Sequence, residues 1–417
     1  MSVYATIKVL LFGVILFLNS GTSIAQIDLN VLLAGANRDD ALKLYQAQID
    51  FLGEEKLSSP WIHRVEFRTR TNDFNLSQED FRFRIAPTNP AEIRANKDYF
   101  RAQQELTDTR YQLALNEALV DRYETFVTWV YLWNYKASVE QEILIVEDIL
   151  LIYRSSVNSL QFDYEDYLEK EKDKTLLELK LRNIDHEIEN EKFRIREVFK
   201  YSGNINPETE MISIQSIRNI MEENAIISDS SHLKLLETEQ ELALANIDYK
   251  VDKAKNRRNI GYIQAEFDSE RGDIFEEHMG FQVGIRLPIT NPDRPDDKRT
   301  RLDLIDDQFD SQLEGQWLKI KRAQAEANMN YLMETQRFLH SKIEVFNESI
   351  QQTQSFSDNP MVLLKNMENK NQLQLKLIEI ESEIYFTYLN LLDLFGVLPQ
   401  LPLRNYLSEG LNVVEQQ

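Results

Sequence analysis

Apolar residues step by three and four over long stretches of this chain. Leu115, Leu119, Tyr123, Phe126, Val130 and Trp133 form one series, and Leu177, Leu181, Ile184 and Ile188 another. Leu332, Leu339 and Phe346 fall at intervals of seven, and Leu373, Leu377, Ile380, Ile384, Leu391 and Phe395 extend the rule toward the C-terminus. Such spacing gathers apolar side chains on one face of an α-helix. A period of seven held over these lengths fits coiled-coil packing. A neighbouring stripe, Leu113, Val120 and Val127, widens the apolar face of the first long helix. A wide face suits a helix wedged between two others, in a curved wall or in a bundle core. The expected helices cover 39–55, 90–154, 163–200, 230–256, 297–354 and 361–395. A helix of about 65 residues spans roughly 100 Å, far more than a globular domain needs.

Two regions switch to period two. Along 61–71, Val65, Phe67 and Thr69 alternate with Arg64, Glu66, Arg68 and Arg70. Along 259–268, Gly261, Ile263, Ala265 and Phe267 alternate with Ile260, Tyr262, Gln264 and Glu266. Polar turns, 72–78 and 269–277, lead to a second alternating run in each case: Phe81-Arg82-Phe83-Arg84-Ile85 and Val283-Gly284-Ile285-Arg286-Leu287. Each region therefore predicts a β-hairpin. Thr88-Asn89-Pro90 after the first hairpin recurs as Thr290-Asn291-Pro292 after the second. The chain thus predicts a duplicated repeat of helix, hairpin, long helix and helix. The first copy covers 26–200, with its hairpin at about 60–87, and the second covers 230–396, with its hairpin at about 259–288. Segments 201–229 and 397–417 break the helical pattern with Asn204, Pro207, Pro399 and Pro402. On the pattern alone they read as loose connector and tail, and the last five residues are expected to fray.

Composition agrees and excludes several classes. Twelve glycines and ten prolines in 417 residues leave little turn chemistry for a many-stranded sandwich. The absence of cysteine removes disulfides, thiolate metal sites, cysteine nucleophiles and cysteine-linked lipid. A net charge of −22 argues against a nucleic-acid surface. His63, His186, His232, His278 and His340 are scattered, and His186-Glu187 fails as a zinc-protease motif because Asn190 stands where the second histidine belongs. No phosphate loop, nucleophile elbow or calcium loop appears, so neither an enzyme nor a cofactor is expected. Lys8 followed by an apolar run of about ten residues and by Ser23-Ile24-Ala25 predicts a signal peptide over 1–25. Its removal would take the charge from −22 to −23.

The hairpin strands are long enough to cross a bilayer as tilted β-strands, with one lipid-compatible face and one polar face. Four strands cannot close a barrel, and open edges are forbidden in lipid, whereas three copies would supply twelve strands. Here the chain resembles the TolC-like outer-membrane efflux protein family. The resemblance rests on the duplicated element order, on Gly284-Ile285-Arg286-Leu287-Pro288, on Asp166-Tyr167-Leu168 with its echo Val362-Leu363-Leu364, and on the closing run from Tyr385 to Gly396. It implies a mainly α fold with a small membrane β part. A homotrimer would combine a twelve-strand β-barrel in the outer membrane with a long α-helical coiled-coil barrel in the periplasm. It also implies passive export through this duct, coupled by a periplasmic adaptor protein to an inner-membrane transporter. Segments 201–229 and 397–417 would then form the equatorial belt. The competing expectation is a periplasmic coiled-coil scaffold or adaptor that never enters lipid.

Candidate residues follow from that picture, each beside a plainer role. Asp163, Asp166 and Asp358 would ring the periplasmic gate, or simply cap helices. Arg64, Arg68, Arg70, Arg82, Arg84 and Arg286 would line the barrel lumen, or pair across strands with Glu66, Asp80 and Glu266. Ser155, Asn158, Ser355 and Asn359 mark the interhelical turns that would meet the adaptor, or lie in ordinary solvated loops. Lys253, Lys255, Arg257 and Arg258, with Lys298, Arg299 and Arg301, flank the second hairpin and would touch lipid headgroups at the rim, or, for the first cluster, complement the C-terminal dipole of the helix before it.

Overall fold

A computed structural model describes residues 28–54, 59–71, 79–155, 157, 162–203, 211–222, 232–256, 260–267, 279–285, 294–356 and 360–414. The expected signal peptide, both strand-to-strand turns, and Asn158, Arg286, Asp358 and Asn359 lie outside the described residues, as does the second Thr-Asn-Pro triplet.

The elements run in chain order as α1 (Leu29–Ala34), a 3-10 turn (Gly35–Arg38), α2 (Asp40–Glu54), β1 (Ile62–Thr71), β2 (Glu79–Pro87), α3 (Pro90–Ser155) and α4 (Tyr164–Phe193). A π-helical turn (Arg194–Val198) follows, then α5 (Ile214–Glu222), α6 (Leu233–Asn256), β3 (Ile260–Phe267), β4 (Met279–Ile285), α7 (Arg294–Phe356) and α8 (Pro360–Leu394). α3 has 66 residues and α7 has 63. No described helix is long and apolar enough to cross a membrane.

Local chemistry sets the helix ends. Pro90 opens α3 at the position where proline's fixed φ and missing N–H cost nothing. Asn89 caps that helix by accepting from Ala91 N at 3.1 Å, and its amide donates to Ala254 O at 2.8 Å. The first Thr-Asn-Pro triplet is thus a helix start that also ties down the end of α6. At the far end of α8, Gly396 takes a φ of 63°, open to glycine without strain. Val397 N then reaches Leu392 O at 3.2 Å and closes the helix.

The chain divides into two compact units. The first comprises Met1–Asp39, Leu115–Ser230 and Lys321–Gln417. Its helices are antiparallel, as paired contacts show by running in opposite directions. α3 meets α8 at Tyr135–Glu379 and Ser138–Asn371, and meets α4 at Lys136–Asp185 and Lys174–Glu147. α7 meets α8 at Arg322–Leu394 and Asn328–Thr387. Among the buried positions of α7, Leu318, Ala325, Met329, Leu332, Leu339 and Ile343 step by three, four or seven, the spacing of a coiled-coil seam, and Met333 beside Leu332 is buried as well. A second apolar series, Tyr331, Phe338 and Val345, also at sevens, is exposed.

Segment 397–414 is a packed part of this unit, not the loose tail that was one of the two alternatives for it. Val397, Leu398, Leu403, Tyr406, Leu407 and Val414 are buried. Tyr123 of α3 donates from its hydroxyl to Arg404 O at 2.8 Å and accepts from Tyr406 N at 3.1 Å. Val414 N bonds Leu403 O at 2.8 Å, so Val413 and Val414 are not frayed. Ile212 N donates to Leu407 O at 2.8 Å, which fastens the start of the α5 region to the same segment. The expected helix over 163–200 ends instead in the π-helical turn, and α5 appears where only a break in pattern was expected.

The second unit comprises Asp40–Ala114 and Ser231–Ile320. Arg110 of α3 holds α6 through Glu237 at 3.0 Å and Glu241 at 2.6 Å. This unit also contains the sheet, which is antiparallel in the order β1-β2-β3-β4.

Candidate functional site

The sheet has two chemically distinct faces, because side chains alternate along each strand. One face carries three apolar rows set by the strand register. Val65, Ile85, Ile263 and Val283 form one row, and Phe67, Phe83, Ala265 and Phe281 the next. Thr69, Phe81, Phe267 and Met279 form the third. Phe81 stacks on Phe67 at 6.0 Å and tilts against Phe267 at 6.4 Å. Nothing among the described residues covers these rows. Val65, Phe67, Phe83, Ile263, Met279, Val283 and Phe281, the last 79% exposed, all face outward. Burying such side chains is worth about 1.5–3 kcal/mol each, so an uncovered face of this extent marks a contact surface for lipid or protein.

The opposite face is polar and internally paired. Arg64 reaches Glu66 at 2.7 Å, and Arg68 reaches the other oxygen of Glu66 at 2.8 Å. Arg84 donates to Gln264 Oε1 at 3.1 and 2.9 Å and lies 3.9 Å from Glu66. Gln264 is 3% exposed and donates onward to Glu266 at 3.3 Å, while Arg82 pairs with Glu266 at 2.7 Å. Arg70 stands opposite Asp80 in register. Of the arginines singled out in the sequence, Arg64, Arg68, Arg70, Arg82 and Arg84 are thus brought to one face; the cross-strand pairing weighed for them is present at Arg82 and Arg84, while Arg64 and Arg68 pair with Glu66 along their own strand. Sequence reasoning missed Gln264, the residue that joins the arginine and glutamate rows across the centre of the sheet.

Tyr262 completes this face. Arg84 lies 4.1 Å from its ring centroid, and the ring covers Gly284 so closely that an added Cβ would meet its carbons at 2.4–2.7 Å. Gly284→Ala should therefore push Tyr262 off the strand and break its stacking with Arg84. The expected loss is about 1–2 kcal/mol, read as a lower unfolding midpoint, and Tyr262→Ala made together with Gly284→Ala should remove the clash.

The second candidate region lies at the α3–α4 end of the first unit. Asp163 is the N-cap of α4 and accepts from Glu165 N at 2.9 Å and Asp166 N at 3.2 Å. The capping role weighed in the sequence is therefore real for Asp163. Asp166 sits in the first turn and accepts from the Tyr153 hydroxyl at 3.2 Å. Arg154 bonds Glu171 at 2.7 Å, and Tyr167 donates to the same carboxylate at 2.6 Å. These partners act on the titrating groups. Partial burial, with Asp166 beside it, raises the Tyr153 phenol. The Tyr167 hydroxyl and Arg154 guanidinium hold Glu171 below the ordinary carboxylate range. Ser155, the last residue of α3, donates to Ile152 O at 2.7 Å and is exposed. Ser355 lies in the last turn of α7. Capping and charge separate cleanly at Asp163. Asp163→Ala should cost about 1 kcal/mol of helix stability, whereas Asp163→Asn keeps the cap and removes only the charge; thermal unfolding of the two variants should differ accordingly.

The rim clusters are partly described. Lys253 lies over the Tyr249 ring and Lys255 pairs with Asp252 at 3.1 Å, both in the last turns of α6, where they complement the helix dipole. No group of three or more metal-ligating side chains occurs among the described residues.

No protein-family model and no curated protein matches the sequence. Solved structures do. The chain is similar to a transmembrane-channel-forming protein, CusC, at a TM-score of 0.64 and 9% identity, covering 91% of this chain and 94% of that one. The outer membrane protein VceC of Vibrio cholerae matches at 0.63 and 10%, over 88% and 96%. The MtrE outer membrane channel of Neisseria gonorrhoeae, solved in its open state, matches at 0.63 and 11%, over 91% and 93%. At these identities the likeness establishes the fold: a mostly helical chain with a small sheet, as in TolC-like outer-membrane channels.

Proposed function

We propose that the chain is the outer-membrane exit duct of a tripartite efflux or type I secretion system. In this reading it passes small molecules or proteins passively from periplasm to exterior and is not an enzyme. The observation that carries it is the sheet. Its apolar face is uncovered, and β1 and β4 are edges with no strand on their outer sides among the described residues. Lipid can cover the face, and only further strands can satisfy the edges within lipid. Three chains would close twelve strands, with β4 of each antiparallel to β1 of the next. The exposed series Tyr331, Phe338 and Val345 on α7 would seat against a neighbouring helix, forming the coiled-coil barrel.

The other assignments follow from this reading. Residues 1–25 are the export signal. The repeats 26–200 and 230–396 supply one strand pair each, and 201–229 and 397–417 form the equatorial belt. Asp163, Asp166 and Asp358 ring the periplasmic tip. Ser155, Asn158, Ser355 and Asn359 mark the turns that meet a periplasmic adaptor, which joins the duct to an inner-membrane transporter. The polar sheet face, with Arg64, Arg68, Arg70, Arg82, Arg84 and Arg286, lines the lumen.

The decisive measurement is the mass of the particle extracted from membranes with detergent. Three times the mature chain is expected. Recovery as a monomer without detergent would instead support the periplasmic scaffold.

A further inference from the structure

The chain carries −22, yet its strands do not share that sign. The polar face of the described sheet holds five arginines, Arg64, Arg68, Arg70, Arg82 and Arg84, against three carboxylates, Glu66, Asp80 and Glu266. Along β1 the two signs also sit at different depths. Glu66 is sunk between its partners, its side chain 15% exposed, while Arg64 and Arg68, which share it, stand 67% and 62% exposed. The Glu66 carboxylate is spent inside the network, and the Arg64 and Arg68 guanidinium groups meet solvent.

The arrangement across the sheet concentrates this charge. Arg64, Arg68 and Arg70 form a column along β1, one free edge of the sheet. On β4, the other edge, the same face presents Gly280, Gln282 and Gly284. These residues carry no charge, and the two glycines have no side chain to fill the space beside a neighbour. In the trimeric closure each β1 column would lie beside a β4 that offers no carboxylate from these positions. The basic columns would then repeat three times around the bore.

We infer that this face makes the outer part of the duct an anion-attracting collar, suited to cargo bearing carboxylate, sulfate or phosphate groups; the inference rests on the exit-duct reading. Exposed guanidinium groups repeated around a bore walled by low-dielectric protein concentrate anions and disfavour cations. Partial pairing with Glu66 and Glu266 fixes the side chains along the wall without cancelling the excess.

The test is ion selectivity of the full chain in planar lipid bilayers under a potassium chloride gradient. Arg64→Gln, Arg68→Gln and Arg70→Gln combined should lower the chloride-to-potassium permeability ratio by at least about threefold. The matching triple lysine variant should retain the wild-type ratio, because charge rather than guanidinium shape sets it. Arg68→Gln alone removes one charge per chain and should shift the ratio partway, which keeps the test informative if the triple variant does not assemble. A conducting wild-type pore whose ratio is unchanged by neutralisation overturns the collar and leaves the duct standing. A wild-type particle that assembles no conducting pore overturns the duct, and the collar with it.

Discussion

Arginine placed at Phe281 should keep the protein out of the membrane, and arginine placed one residue later, at Gln282, should be tolerated. Phe281 ends the row Phe67, Phe83, Ala265, Phe281 on the uncovered apolar face. Gln282 faces the other way, in the row with Glu66, Arg84 and Gln264. A cation facing hydrocarbon near the bilayer midplane costs about 2–4 kcal/mol, and a trimer would incur it three times. The same cation on the polar face stays in water. Membrane fractionation and the trimer band on unheated gels give the readout. Equal behaviour of Phe281→Arg and Gln282→Arg would remove the case for a lipid-facing sheet, since only the period-two alternation distinguishes the two positions.

Loss of Arg122 should be the most damaging single change in the helical part. Its side chain is 1% exposed on α3 and makes a two-pronged pair with Asp39 at 2.8 and 2.6 Å. It also donates to Ala118 O at 2.9 Å and lies 4.6 Å from the Phe199 ring centroid, beside the π-helical turn. Arg122→Ala would leave the Asp39 carboxylate without its partner and open a hole under Phe199. Breaking a fully buried pair on one side costs about 3–5 kcal/mol, and because the Asp39 carboxylate is 32% exposed the expected loss lies at or below the lower end of that range. Arg122→Lys should recover little, because an ammonium cannot make the two-pronged contact. Chemical denaturation of the detergent-solubilised protein measures both, and a loss below about 1 kcal/mol for Arg122→Ala would show that the pair carries little of the local stability.

Arg122 also shows where reading the sequence stops. It sits between Leu119 and Phe126 in the very series that predicted the helix, at a spacing of three and four. An arginine in that slot is the signal of a buried partner, yet its partner Asp39 lies 83 positions away and no local pattern points to it. The long helices were legible because period 3.6 is written into each turn. The strand faces were legible because period two is equally local. The pairing of β2 with β3 was not, since register between distant strands leaves no mark on either strand alone. The same holds for segment 397–414. Pro399 and Pro402 correctly signalled that the helix stops, but the burial of Tyr406 and Leu407 comes from contacts with distant parts of the chain. At the candidate sites, the sequence placed the arginines on one face and Asp163 at a helix start. It could not supply Gln264 or the Tyr262 cover over Gly284, because both depend on cross-strand neighbours.

The two free strand edges have a genetic consequence under the proposed closure. Each chain offers β4 to one neighbour and β1 to another, so a ring has no spare edge. A subunit that inserts a proline into β4 would still present an intact β1 and could still be recruited. One such subunit leaves a seam that the other two cannot repair. With equal synthesis of sound and damaged chains, about one ring in eight would be wholly sound if assembly is by random mass action. Damage to an edge strand should therefore behave as dominant, whereas damage that prevents a chain from folding at all should behave as recessive.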